Sequence, residues 1–295
     1  MSTSTTLTAS GQKGRVCRQA GFSLIYIILG IVVVIVLAVV VIETLDKLNQ
    51  RNFSPGNKNF KQDEKTGEEK PVSFDINNPP KFIQADFIDL DRITSISKFR
   101  SASGHDFSIG TGETCRSMKH YYMPPRSEEG ERLQQQNRGL PPPPDGKNDI
   151  KIYSPVDGKI TKIETEQVPI GEQIYIEPNS LPGAIVRLFH IYKLDTVKSG
   201  KTVKAGEHIG NIGQYQGTDV AVEVRLGFGK MVLFSYFDVM ADYLFTKYQA
   251  RGVKDKSELI ISKEFRDTHP LKCNGEMFAE NYDSGQAKEN WIFLK

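Results

Sequence analysis

The chain has 295 residues, 38% of them hydrophobic and 25% charged, which is enough for one sizeable core with extensions and too little for two full domains. Its formal net charge is +2, and the basic excess sits at the start: removing Lys13, Arg15 and Arg18 from the 38 Lys and Arg leaves 35 against 36 acids. No long basic stripe with interleaved aromatic residues is present, so nucleic acid is excluded as an expected partner.

The first strong feature is an uninterrupted apolar run over residues 22–42. At about 1.5 Å of rise per residue it is long enough to cross a bilayer core of about 30 Å. Lys13, Arg15 and Arg18 precede it while Glu43 and Asp46 follow it, so the positive-inside bias leaves the N-terminus in the cytoplasm and everything after residue 42 outside. The expected partition is a cytoplasmic tail (1–20), one transmembrane helix (21–43), a polar stalk (44–72), a β-domain (73–230) with a loop insertion (121–148), and a C-terminal cap (231–295). Ala20-Gly21-Phe22-Ser23-Leu24-Ile25 also resembles a type IV prepilin processing site, with cleavage between Gly21 and Phe22. That family usually carries glutamate at the fifth mature position, where Tyr26 stands here; a plain signal anchor is the other reading.

Residues 43 to about 70 are too polar to bury a core and read as the stalk. Residues 74–99 regain Phe82, Phe87, Ile88, Leu90, Ile93 and Ile96, consistent with a short helix or a wrapped segment packing onto the domain. The polar stretch 121–147 ends in four prolines and reads as an exposed loop between the first two strands. From Ile150 to Arg225 short alternating segments are closed by tight-turn sequences such as Pro-Val-Asp-Gly and Ala-Gly-Glu, the pattern of half-buried strands. On the last of these, period two puts Val220, Val222 and Val224 on the core face and Asp219, Ala221, Glu223 and Arg225 on the other. His190 groups with Val186 and Leu188 by the same rule. Residues 235–251 place Phe237, Met240, Leu244 and Tyr248 at steps of three and four, an amphipathic helix that Gly252 terminates, and the apolar tail 291–294 is expected to dock back.

This order of motifs (Ser154-Pro155 followed by Gly158-Lys159-Ile160, His190 after an apolar strand, Val203-Lys204-Ala205-Gly206, then Val222-Glu223-Val224-Arg225) resembles the core of lysostaphin or LytM-type zinc endopeptidases, and more loosely the biotinyl/lipoyl carrier fold. The resemblance implies a mainly β fold, a compact antiparallel β-sheet or barrel-sandwich hybrid, here with a C-terminal α-helical cap and one preceding transmembrane helix. Such peptidases hold zinc with His and Asp of a His-x-Gly-x-Asp motif and the second His of His-x-His, leaving one position open for water. In this chain Ala102-Ser103-Gly104-His105-Asp106 and Asp219-Val220-Ala221 stand at those places, so two of three ligands are replaced by alanine.

The resemblance therefore implies a degenerate site: His190 at the position of a catalytic histidine, and a cleft formed by His105, Asp106, Asp219, Glu223 and Arg225. No cofactor is expected. Zinc enters only through a rearranged set drawn from His105, Asp106, His190 and His120, and calcium on Asp106, Asp219 and Glu223 is a further alternative. Cys115 and Cys273 both lie on the outer side; a disulfide, two buried thiols, and a zinc site shared with His120 are the three readings of them. The functional expectation is a membrane-anchored extracytoplasmic binding or scaffolding domain whose partner is a cell-wall glycan or an envelope protein. An active peptidoglycan or peptide hydrolase and a pilin-like surface subunit are the alternatives.

Overall fold

The computed structural model describes residues 75–108, 110–166, 170–227, 230–280 and 289–295. The expected membrane helix, the Gly21-Phe22 junction and the stalk lie outside the described residues. Among the described residues no helix is long and apolar enough to cross a membrane.

Alternation of apolar and polar side chains builds most of the strands. In chain order they are β1 (Ser95–Ser97), β2 (His120–Met123), β3 (Ile150–Tyr153), β4 (Gly158–Thr165), β5 (Glu172–Pro178), β6 (Ala184–Lys193), β7 (Thr202–Val203), β8 (His208–Ile212), β9 (Thr218–Gly227), β10 (Lys230–Phe234), β11 (Cys273–Asn274), β12 (Met277–Phe278) and β13 (Trp291–Phe293). Hydrogen bonding orders the main sheet β13-β1-β2-β9-β6-β5-β4-β7, with β10 on β9 and β8 joining β3 to β6, and every pairing is antiparallel. The architecture is thus mainly antiparallel β with few helices.

One face of the central strands is the core. Ile160, Ile174, Ile176, Val186, Leu188, Val220 and Val222 are each fully buried there, and burying one such side chain stabilises by about 1.5–3 kcal/mol. Residues 82–96 wrap over this face as the apolar spacing suggested, contributing a single 3-10 turn at Leu90–Arg92 and strand β1. The C-terminal tail docks back as β13 on β1, with Ser97 opposite Trp291.

Two expected elements differ. The polar stretch after β2 contains a helix, α1 (Glu128–Gln136), started by the Ser127 hydroxyl accepting from Gly130 N and favoured by Glu128, Glu129 and Glu131 in its first turn. Its surface is polar nearly all round, so no apolar stripe announces it. The expected helix over 235–251 is only α2 (Asp242–Ala250): Ser235 Oγ accepts from Phe237 N at 3.2 Å, holding the preceding residues in turns that send Phe237 and Met240 into the core. Gly252, at φ +95°, follows it and carries the chain away. A short helix, α3 (Lys263–Thr268), and the separate hairpin β11–β12 make the rest of the cap.

Candidate functional site

Register places the opposite face of three strands together. Tyr121 on β2 stands opposite Asp219 on β9, and Ala221 on β9 stands opposite Arg187 on β6. Alternation then puts Lys119, Tyr121, Asp219, Ala221, Glu223, Arg187 and Phe189 on one side. A cavity of about 610 Å³ opens there, walled in part by His105, Asp106, Phe107, Arg187, Phe189 and Glu223.

His190 reaches the same cavity, which corrects the expectation that it shares a face with Val186 and Leu188. The register between β5 and β6 shifts between Glu172 and Ile174, so an extra β6 residue is accommodated, and His190 has φ 63°. This bulge turns both Phe189 and His190 toward the cavity before Ile191 returns to the core. Its carbonyls are held by side chains: Thr218 Oγ1 donates to Phe189 O at 2.6 Å, and Gln216 Nε2 to His190 O at 2.7 Å. Gly171, at φ +119°, lets the next loop press against it; a Cβ there would lie 2.7 Å from His190 C and from Ile191 N.

The floor is a chain of charges. His190 Nδ1 lies 2.5 Å from Glu166 Oε2, and His190 Nε2 lies 3.0 Å from Asp219 Oδ1. Asp219 is fully buried, and the ammonium of Lys119, itself 2% exposed, closes on its other oxygen. These contacts with Asp219 are at ion-pair distance but off the line of a hydrogen bond. Lys119 Nζ also approaches His105 Nε2 at 3.2 Å and stands over three rings, 4.3 Å from the centroid of Phe189, 4.8 Å from Tyr121 and 5.0 Å from Phe107.

Protonation follows from these neighbours. Burial opposes a charge on His190, but Asp219 and then Glu166 outweigh it and raise its pKa to about 9. Burial likewise opposes the charge on Asp219, and Lys119 and His190 overcome it, holding the carboxyl far below the usual range. Lys119 is pushed up against the effect of burial, by Asp219 and then Tyr121. His105 is pushed down by burial and by Lys119. At neutral pH the floor therefore holds His190⁺, Asp219⁻, Lys119⁺ and neutral His105. A doubly clamped imidazolium has no lone pair for a proton or a metal.

The other expected site residues divide. Asp106 borders the cavity, but one carboxylate oxygen accepts from Ser108 Oγ at 2.5 Å and Arg116 N at 3.1 Å, and the other from Cys115 N at 3.3 Å. Glu223 pairs with Arg187 at 3.1 Å. Arg187 also donates twice to Gln173, and its guanidinium lies 4.7 Å from the ring centroids of Phe189 and Tyr175, making a rigid wall. Arg225 is exposed further along β9 and does not line the cavity. Cys115 and Cys273 are joined by a disulfide. It ties the loop that holds Asp106 to the β11–β12 hairpin, whose Glu276 carbonyl accepts from Asp106 N at 2.7 Å and whose Met277 bridges His105.

His120 points the other way. Its Nδ1–H donates to Ser97 O and its Nε2 accepts from Ser235 Oγ, both at 2.8 Å, and the ring is buried against Phe99 and Phe237. Desolvation lowers its pKa to about 4, a neutral core histidine on the opposite face from His190. Ala102 also departs from the cleft: Arg100 at φ 62° and Gly104 at φ 71° interrupt the alternation, and Ala102 faces a separate groove with Ile260 and Asn290. Lys119, Glu166, Arg187 and Gln173 were not singled out in the sequence.

The zinc that the motif resemblance implies does not fit these residues. Ala221, 1% exposed, offers no donor and Ala102 lies elsewhere, while the oxygens of Asp106 and Asp219 are already engaged. Among the described residues no group of three or more His, Cys, Asp or Glu side chains is set to hold a metal ion.

No protein-family model matches the sequence, and no curated protein matches it. Solved structures similar to this chain include peptidases and lysostaphin itself. A zinc-containing peptidase from Vibrio cholerae shares 20% identity over 55% of this chain and 41% of that one, with a TM-score of 0.30. A mutant catalytic domain of the prophage-encoded M23 protein EnpA from Enterococcus faecalis shares 16% over 52% of this chain and 94% of that one, at 0.31. Csd3 of Helicobacter pylori shares 16% over 72% of this chain and 45% of that one, at 0.33. The match thus spans less than half the length of the Vibrio and Helicobacter chains.

Proposed function

We propose that this chain is a lysostaphin-like domain anchored in the membrane by residues 21–43, displayed outside the cytoplasm, and used to bind rather than to cut. The observation that carries this reading is the occupied floor of the cleft: an ammonium, an imidazolium and two carboxylates neutralise one another where hydrolysis would need an open metal position. What remains accessible is a wall of aromatic rings and a guanidinium, with five acidic side chains against three basic ones around the cavity. Such a lining favours a ligand that offers apolar surface together with amino groups, as a cell-wall peptide stem or an envelope protein segment does.

The test is co-sedimentation of the full-length chain with purified cell-wall sacculi. Retention that falls at least tenfold in a Phe107→Ala variant supports the reading, and equal retention of both proteins, or of neither, sinks it.

A further inference from the structure

We propose that the outer edge of β4 pairs antiparallel with the same edge of a second copy of this chain, with Ile163 facing its own counterpart across a two-fold axis. The inference stands on the backbone and the charges of one strand and does not depend on what the cleft binds.

Part of this edge is open. β5 holds β4 from Gly158 to Thr165, whereas β7 covers only Gly158 and Lys159 on the other side. Next to them Ile160 donates to Lys201 O at 2.8 Å and accepts from Gly200 N at 2.7 Å, and Thr161 O accepts from Ser199 Oγ at 2.9 Å. Further along, Glu166 N donates to Gly171 O at 3.4 Å, so by alternation Glu164 and Lys162 also bond toward β5. The N–H and C=O groups of Ile163 and Thr165 then point outward. Among the described residues neither has a backbone partner on that side.

The sequence of the edge is self-complementary. It reads Thr161-Lys162-Ile163-Glu164-Thr165, with threonines at both ends and opposite charges on either side of the isoleucine. Pairing two copies with Ile163 at the centre sets Lys162 against Glu164 twice and Thr161 against Thr165 twice. Because Ile163 presents its hydrogen-bonding groups, the two Lys162–Glu164 pairs fall at the non-hydrogen-bonded positions, where side chains are closest. Lys162 and Glu164 are 56% and 43% exposed, and their 3.0 Å contact with each other is a surface one. Sliding the pairing to set Ile163 against Thr165 would bring Glu164 against itself, so charge selects one register. A lysine on a free edge commonly blocks pairing by being unmatched; this one meets its complement under two-fold rotation.

The seam also adjoins the cleft, since Glu164 and Thr165 line the cavity. In such a dimer the two sheets become one, with both clefts open on the same face, and Lys162 of each copy comes to the rim of the other's cleft.

Disulfide trapping tests the register. Full-length Lys162→Cys and Glu164→Cys, each also carrying Cys17→Ser, are purified separately, mixed in detergent and oxidised mildly. The mixture should give at least tenfold more cross-linked dimer than either variant alone, because identical cysteines would sit diagonally, about 7–8 Å apart and beyond disulfide reach. Cross-linking that is no stronger in the mixture, or equally strong within one variant, overturns the proposal.

Charge reversal tests the pairing without new cysteines. By sedimentation in detergent the unmodified full-length chain should form dimers, Lys162→Glu and Glu164→Lys should each weaken them at least tenfold, and the two changes together should restore them. A monomeric unmodified chain, dimers that survive either single reversal, or a double reversal that stays monomeric overturns the proposal as well.

Discussion

His190 and Asp219 meet at 3.0 Å between Nε2 and Oδ1, with Glu166 on the other ring nitrogen at 2.5 Å, so one imidazolium is held between two carboxylates. Because the folded pKa of His190, about 9, lies above its ordinary 6.5, the stability it contributes is fully present below 6.5 and is lost as pH rises through 9.

His120 works in the opposite sense. Its folded pKa of about 4 lies below 6.5, so its contribution is present above 6.5 and is lost as pH falls toward 4. Each shift corresponds to about 3 kcal/mol at most, and the His190 and Asp219 shifts describe one contact and are not added. Chemical denaturation across pH should show a maximum near 6.5, with a fall on the alkaline side that His190→Asn abolishes. A flat alkaline limb in the unmodified chain would contradict the clamp.

The Lys119–Asp219 pair should behave as a unit. Lys119→Met and Asp219→Asn are each expected to cost about 3–5 kcal/mol, because each takes an ion-pair partner away from a buried charge. Lys119→Met combined with Asp219→Asn should cost clearly less than the sum. Additivity in the double-mutant cycle would mean that the two groups do not interact.

Linking Cys115 to Cys273, 158 residues apart in sequence, restricts the unfolded chain strongly. Replacing both by serine should destabilise by up to about 5 kcal/mol in the chain-entropy model. It should also loosen the β11–β12 hairpin, read as faster amide exchange at Asp106, whose N–H is bonded to Glu276 O. Unchanged exchange at Asp106 would separate the disulfide from the cleft.

Gly171 should be irreplaceable for the bulge. In Gly171→Ala the new Cβ meets the His190 backbone and φ +119° is unfavourable, so a loss of about 1–3 kcal/mol is expected. The diagnostic readout is the His190 pKa by NMR, which should drop from about 9 toward 6.5 as the ring leaves its two carboxylates. An unshifted His190 in the folded variant would show that the loop does not set the bulge.

Strand β9 was legible in the sequence because its alternation is regular: Val220, Val222 and Val224 are buried in the core and Asp219, Ala221 and Glu223 turn away from it. The face of His190 was not, because its bulge depends on Gly171, Gln216 and Thr218, whose contacts no periodicity encodes. Nor was the place of Ala102, since two left-handed residues, Arg100 and Gly104, break the strand on either side of it. Lys119, just ahead of β2, was not singled out in the sequence, and only the pairing of Tyr121 with Asp219 on β9 reveals what it faces.

The most direct test of a cleft closed to metal chemistry is hydrolysis itself. Purified full-length chain, incubated with cell-wall sacculi and with glycine-rich peptides, with and without added zinc, should release no new amino termini under either condition. Zinc-dependent release that disappears in His190→Ala would contradict the account, because it would require an open metal position and a neutral imidazole where the structure has Lys119 and a clamped His190.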